Sequence, residues 1–214
     1  MENKPLVSIC IPNFNNEKLI SSAIDSSINQ SYQNIEIIVV DNNSTDKSWQ
    51  IIKKYENNDR VKVFRNYSNV GMEKNFETAF NYSTGSFVTF LCSDDILTKN
   101  SINSSMKLFN RYENLSFVFG NIEFINSKKV RTFYEFKNIF NEGEWILHSL
   151  KIPKNLTFLS GTIINKSFIE KIEGKLIAPL TFFDWYLWLR LAKYKVGFNN
   201  DIVGYHRYHN NNQT

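Results

Sequence analysis

An α/β fold with a mostly parallel central sheet, covered by helices on both faces, is predicted from three observations. Short unbroken apolar runs alternate with segments of helical periodicity through the first half of the chain. Those runs lack the polar alternation of a half-exposed strand, so both faces of each strand are expected to be buried. They also stop at polar, ligand-like residues, at Asn13, Asp41 and Asp94, instead of fading into linkers.

Each element follows from local pattern. Leu6–Ile11 reads as the first strand. Glu17–Ile28 puts Leu19, Ile20, Ala23, Ile24 and Ile28 on one helical face. Ile35–Val40 is the next strand, ending at Asp41. Ser44-Thr45-Asp46 supplies helix-start residues for a helix over 46–56. Val61–Phe64 is a short strand, and a helix over 72–82 turns Phe76, Ala79 and Phe80 inward. Gly85 breaks that helix before the run Phe87-Val88-Thr89-Phe90-Leu91-Cys92, which reaches Asp94 and Asp95. A helix over 98–112 and a strand over 117–122 come next. The stretch 123–158 has no clear period. Leu159–Ile164 is then expected as a strand, Phe182–Tyr194 as a helix, and Val196–Phe198 and Ile202–Tyr208 as two short closing strands.

No linker, repeat or low-complexity segment divides the 214 residues, so one domain over 1–214 is expected. Apolar residues make up 42%, enough for one full-sized core, and no apolar run is long enough to span a membrane. The amino end runs straight into a strand without the apolar core of a signal peptide. Cys10 and Cys92 lie inside apolar runs and read as small buried hydrophobes in a reducing cytoplasm, not as a disulfide or zinc framework. The net charge of +4 is uneven. Residues 1–114 carry 12 basic and 13 acidic side chains, residues 115–214 carry 13 and 8. The basic half suits a phosphate-bearing ligand, an anionic membrane surface or a solvated face. No nucleic-acid motif accompanies it.

In an open α/β sheet, ligands bind outside the carboxyl ends of the strands. Three strand ends supply suitable groups: Pro12-Asn13-Phe14-Asn15, Asp41-Asn42-Asn43 and Ser93-Asp94-Asp95. Together they describe an aromatic wall at Phe14, a carboxylate at Asp41 able to accept from a base N–H, and a pair of hard oxygen ligands. That pair suits Mg²⁺ or Mn²⁺ holding a diphosphate. The same two aspartates also suit a polar turn in which one of them caps the following helix.

In order along the chain stand Val7-Ser8-Ile9-Cys10-Ile11-Pro12-Asn13-Phe14-Asn15, Gln30-Ser31-Tyr32, Ile37-Ile38-Val39-Val40-Asp41-Asn42-Asn43-Ser44-Thr45-Asp46, Asn69-Val70-Gly71 with Asn75, and Gly85 through Asp95. Near the end come Phe183-Asp184-Trp185-Tyr186-Leu187-Trp188-Leu189-Arg190 and Tyr205-His206-Arg207-Tyr208-His209. This ordered set resembles the family 2 glycosyltransferases, inverting enzymes with the GT-A fold, a Rossmann-like three-layer sandwich. The resemblance implies a nucleotide-binding half over 1–95 and an acceptor-binding half over 96–214. It implies that Asp41 contacts the nucleobase with Pro12, Asn13, Phe14 and Asn15 lining the slot, that Asp94 touches ribose or metal, and that Asp95 ligates the divalent cation. Asp184 falls at the general base and His209 near the diphosphate or metal. Asn69 and Lys74 border the pocket loop and are expected to steady the nucleotide.

The resemblance further implies Mn²⁺ or Mg²⁺ as cofactor, a UDP-linked donor, and a glycan or lipid-linked glycan as hydroxyl acceptor. The implied setting is bacterial surface glycan assembly, in the cytoplasm or at the inner face of the plasma membrane, with peripheral membrane association left open. Four positions depart from the family's pattern. Cys92 stands for the first aspartate of the metal motif. Asn42 replaces a second aspartate, and Asn43 replaces a glycine at a place where asparagine tolerates positive φ. Phe183 replaces an acidic neighbour of the base, which should let Asp184 ionise more easily.

Asp184 also suits a plain helix cap. Trp185 is expected on an acceptor-facing wall, Trp188 in the core, and His206 on the surface. A non-catalytic nucleotide-sugar binding protein is the alternative function. A dinucleotide oxidoreductase is disfavoured because no Gly-x-Gly-x-x-Gly follows the first strand.

Overall fold

A computed structural model describes residues 4–125, 134–151, 157–172 and 183–208. Four strands form the parallel part of the sheet: β1 (Val7–Asn13), β2 (Ile35–Asp41), β3 (Val61–Arg65) and β4 (Phe87–Phe90), in the order β3-β2-β1-β4. Register sets Asn13 beside Asp41 and Asp41 beside Arg65. Side chains alternate between faces, as the pleat requires. Ile9, Ile11, Ile37 and Val39 pack beneath α1 (Ile20–Ile28), α2 (Ser48–Ile52) and α4 (Ser101–Arg111). Cys10, Ile38 and Val40 face the opposite layer, made by α3 (Met72–Asn81), α5 (Glu144–Leu150) and α6 (Phe183–Leu191). This is the covered, mostly parallel sheet the apolar runs predicted.

The second half completes the same sheet with β5 (Ile96–Leu97), β6 (Leu115–Ile125), β7 (Ile139–Phe140), β8 (Ile163–Asn165) and β9 (Lys195–Arg207). β8 lies antiparallel between β4 and β6, β6 and β9 are parallel, and β5 and β7 run antiparallel to β9. The expected strand over 159–164 shrinks to β8, because Gly161 takes a φ of +86° and turns the chain first. The helix expected over 46–56 stops at Ile52 and tightens into a 3₁₀ turn, Lys53–Tyr55.

The two expected closing strands are one. Asn199-Asn200-Asp201 resembles a turn in sequence, yet it forms a bulge inside β9: Gly120 pairs with Asn199 and Asn121 with Ile202. The Asn199 side chain drives this by donating to Ser104 Oγ at 2.7 Å and Ser105 Oγ at 3.1 Å on α4. A Cβ at Gly120 would stand 2.5 Å from Val203 and 3.0 Å from the Asn199 carbonyl, so the bulge closes directly over a glycine.

Candidate functional site

Because β1, β2 and β4 are parallel, their carboxyl ends bring Pro12–Asn15, Asp41–Asn43 and Leu91–Asp95 to one edge. The first two loops are laced together. Asn15 N donates to Ser44 Oγ and Asn16 N to Ser48 Oγ, both at 2.9 Å, and Thr45 N donates to Asn15 Oδ1 at 2.8 Å. Asp46 accepts from Glu17 N, and Glu17 returns the bond by accepting from Lys47 N. The third loop joins through Asn16 Nδ2, which donates to Ser93 Oγ at 3.0 Å. Asn43 has the positive φ its residue type allowed, 58°, and Asn15 shares that geometry at 48°. Phe14 is 45% exposed, an open aromatic face at this edge, whereas Pro12 and Asn13 are buried beneath it.

Asp41 is not the open acceptor that was expected. It is fully buried, and Oδ1 accepts from Asn13 Nδ2 at 2.9 Å and Ser44 Oγ at 2.5 Å. Oδ2 accepts from Ser44 N at 3.0 Å and pairs with Arg65 Nε at 3.3 Å. Four donors fill the acceptor positions of a carboxylate. The cause is the strand register, which sets Asn13, Asp41 and Arg65 side by side on one face.

Asp95 departs in the same way from the solvent-reachable ligand expected. It is 2% exposed. Ser160 Oγ donates to its Oδ2 at 2.5 Å, Arg207 N donates to its Oδ1 at 3.1 Å, and His206 Nδ1 lies 3.0 Å from that same oxygen. His206 is therefore not a simple surface residue, since it turns toward the acidic turn. Asp94 is half-buried. Ligand atoms of Cys92, Asp94 and Asp95 lie within 4.8 Å of one another. Burial pushes the Cys92 thiol well above its ordinary value, the nearby Asp95 and Asp94 carboxylates push it further, and Asp184 adds to the effect. Asp184 is thus within electrostatic reach of the acidic turn.

Packing explains that position. Phe183 is buried, its ring 5.2 Å from Phe76, which in turn meets Phe90 of β4 at 5.4 Å. An acidic residue at 183 would sit in this aromatic stack, which accounts for the departure there. The stack sets the first turn of α6 above the end of β4, and Asp184 is half-buried within that turn. Trp185 is 40% exposed, and Trp188 is in the core as expected. Asn69 is occupied on its acceptor side, taking bonds from Asn42 Nδ2 and Gly71 N. Lys74 is exposed on α3. His209 lies outside the described residues.

Comparison with known proteins bears directly on this edge. The profile of glycosyl transferase family 2 matches residues 8–169, a span that takes in all three strand ends. The chain belongs to that family. Among its glycosyltransferase relatives is the Escherichia coli UDP-Glc:alpha-D-GlcNAc-diphosphoundecaprenol beta-1,3-glucosyltransferase WfgD, 30% identical over 88% of this chain and 70% of that protein. Staphylococcus aureus TarS 1-349 in complex with UDP-GlcNAc superposes with a TM-score of 0.74 at 19% identity, over 97% of this chain and 60% of that one. The mannosyltransferase PcManGT from Pyrobaculum calidifontis, in complex with GDP-Man and Mn²⁺, gives 0.71 at 14% identity, over 96% and 57%. At such identities the likeness to the two structures is one of fold, and it bears out the GT-A architecture. The chain spans only about three fifths of each.

Several site residues of this glycosyltransferase-family chain were not legible in its sequence. Ser160 and Arg207 meet Asp95 across 65 and 112 positions, and no local pattern marks either as a partner. Ser44 and Arg65 close Asp41, and only knowledge of the strand order reveals Arg65. Cys92, Asp94 and Asp95 form a group whose ligand atoms could hold a divalent cation, and Asp94 is the more exposed of its two carboxylates. Asp95 is held by three neighbours and braces the turn.

Proposed function

We propose that this chain transfers a sugar from a UDP-linked donor to a hydroxyl of a lipid-linked glycan, with inversion at the anomeric carbon. The observation that carries this reading is the meeting, at one sheet edge, of an exposed aromatic (Phe14), a half-buried carboxylate beside a braced acidic turn (Asp94), and a second carboxylate at a helix start (Asp184). The E. coli relative, named for a UDP-glucose donor and a diphosphoundecaprenol-linked acceptor, supports the choice of both substrates. The TarS complex with UDP-GlcNAc supports a UDP donor on this fold.

Phe14 offers a ring face to the base, and the closed Asn13–Asp41–Arg65 row forms a rigid floor under it. Asp94 would hold Mn²⁺ or Mg²⁺, which would offset charge on the departing diphosphate; PcManGT carries Mn²⁺ on the same fold. Asp184, in the first turn of α6, accepts the proton of the acceptor hydroxyl. The acceptor oxygen then bonds to the anomeric carbon as the bond from that carbon to the diphosphate breaks. Inversion needs one such base and no second nucleophilic carboxylate. An acceptor carried on a lipid sets the reaction at the inner face of the membrane.

A second reading, nucleotide-sugar binding without turnover, draws on Cys92 standing where an acidic metal ligand is expected and on the closure of Asp95. One experiment separates them. UDP-glucose and Mn²⁺ are supplied with a GlcNAc-diphospholipid, and glucosylated product is measured beside UDP affinity. Product formation supports transfer. Tight UDP binding without product or donor hydrolysis supports the binding reading, and no nucleotide binding at all overturns both.

A further inference from the structure

We propose that Asn42 is the positioning residue of the donor site, holding the loop 66–71 at the mouth of the nucleotide pocket through all four hydrogen-bonding sites of its carboxamide. The inference rests on the proposed donor site and deepens it. The loop leaves β3 beside Asp41, where Asn66 N donates to the Asp41 carbonyl at 2.9 Å, and it returns to the sheet at α3. Between those points Tyr67, Ser68, Asn69 and Val70 are exposed, with Tyr67 wholly so. A segment that buries so little apolar surface takes its shape from polar bonds.

Asn42 supplies them from a buried position, 2% exposed. Its Oδ1 accepts from Val70 N and from Asn66 Nδ2, both at 3.0 Å. Its Nδ2 donates to Asn69 Oδ1 at 2.8 Å and to the Gly71 carbonyl at 3.2 Å. A backbone N–H can only donate and a backbone carbonyl can only accept, so Val70 and Gly71 together fix which way this amide points. Gly71 itself has a φ of +87°, the turn that starts α3.

Behind Asn42 the network continues into the sheet. Asn66 Nδ2 also donates to Asn75 Oδ1 at 3.0 Å, and Asn75 Nδ2 donates to the carbonyls of Asn13 and Val40, each at 3.3 Å. Four asparagines thus connect the exposed loop to the backbone of the two strands that carry Phe14 and Asp41. The amide at 42 is specific to this arrangement. A carboxylate there keeps the two bonds it accepts but sets negative charge against the Gly71 carbonyl and Asn69 Oδ1. Asn69 could turn its amide to donate, but Gly71 N would then lose the acceptor it has at 2.9 Å. Gly71 O has no such option.

The test uses Asn42→Ala and the isosteric Asn42→Asp, with UDP plus Mn²⁺ as the calorimetric probe. Hydrogen exchange over 66–72 and the melting temperature are read on the same samples. Both variants should exchange faster within 66–72 and little elsewhere. Both should bind UDP about tenfold more weakly, what the loss of one or two net hydrogen bonds amounts to. With UDP-glucose as substrate the loss should appear in KM and not in kcat. Unchanged UDP affinity in variants whose loop exchanges faster overturns the inference, since the loop then moves without affecting the donor. Faster exchange across the whole chain, with affinity and melting temperature falling together, also overturns it in favour of a purely structural role. Failure of the native protein to bind UDP overturns the parent reading, and the inference falls with it.

Discussion

Ser160 donates its hydroxyl proton to Asp95 Oδ2 at 2.5 Å, and the oxygen of that hydroxyl accepts the Cys92 amide at 3.2 Å. One serine from the approach to β8 therefore fastens both ends of the Cys92–Asp95 turn. This bracing ties Asp95 into the fold, and its contribution can be measured.

Asp95→Ala leaves Ser160 Oγ and Arg207 N facing a void. Stability should fall by about 1–3 kcal/mol, the cost of orphaned buried donors. Asp94→Ala should remove the strengthening of UDP binding by Mn²⁺. Thermal melting and calorimetry on the two variants decide the division of labour. A native melting temperature with lost metal dependence in Asp95→Ala would return the cation to Asp95.

Asp41→Ala removes an acceptor from Asn13 Nδ2, Ser44 N, Ser44 Oγ and Arg65 at once, leaving Asn13 Nδ2 with Ser44 Oγ and Arg65 with the Ser44 carbonyl. The expected loss is about 3 kcal/mol, or roughly 6–12 °C in melting temperature for a chain of this size. Arg65→Met, which leaves the three uncharged donor bonds on Asp41 in place, should cost less than Asp41→Ala. If Asp41→Ala melts like the native protein and only UDP binding suffers, the carboxylate is a base acceptor after all.

Asp184→Asn keeps the side-chain volume while removing the proton acceptor. Turnover with UDP-glucose should fall by about 10²–10⁴-fold, the range for a positioned general base. UDP affinity should hardly move. Near-native turnover would exclude Asp184 as the base.

Glu36 gives a prediction about acid. It lies at the start of β2, where burial alone would raise its pKa. Bonds from Lys62 and Ser8 and from the amide and hydroxyl of Thr84 outweigh burial and hold it down to about 2, against an ordinary 4.5. A depressed folded-state pKa contributes stability above the unfolded value and loses it as pH falls through the folded one. The loss, on the order of 2–3 kcal/mol, should therefore develop between about pH 4.5 and pH 2. Glu36→Gln should be less stable than native at pH 7, and that difference should vanish as pH falls through this window. Denaturant titrations at a series of pH values check it.

What could be read in the sequence was periodic or local. β1, β2, β3 and α3 follow from apolar spacing, and the positive φ of Asn43 follows from its residue type. The failures have physical causes. Asn199-Asn200-Asp201 has turn-forming residues, but bonds from Asn199 to two α4 serines keep the strand continuous through a bulge. Asp41 and Asp95 read as open carboxylates in the sequence because a strand end shows what it carries and not what covers it. Arg65 arrives from the neighbouring strand and Ser160 from far along the chain. Burial of a charged group at a sheet edge is a tertiary property, invisible to spacing.

The placement of β9 has a consequence for the order in which the chain assembles. β1 to β4 and their helices draw on residues near in sequence. β9 meets β5 and Asp95 only after a very long loop is closed, since Arg207 N reaches Asp95 across 112 positions. Such non-local contacts form late, because closure entropy must be overcome before they contribute. During synthesis the four parallel strands emerge first. In a growing chain, Asp95 is still a hydrated carboxylate at the rim of an otherwise formed sheet. Arrival of Ser160 and then of residues 195–207 dehydrates it and sets the acidic turn, so this sheet edge is complete only once β9 has joined it.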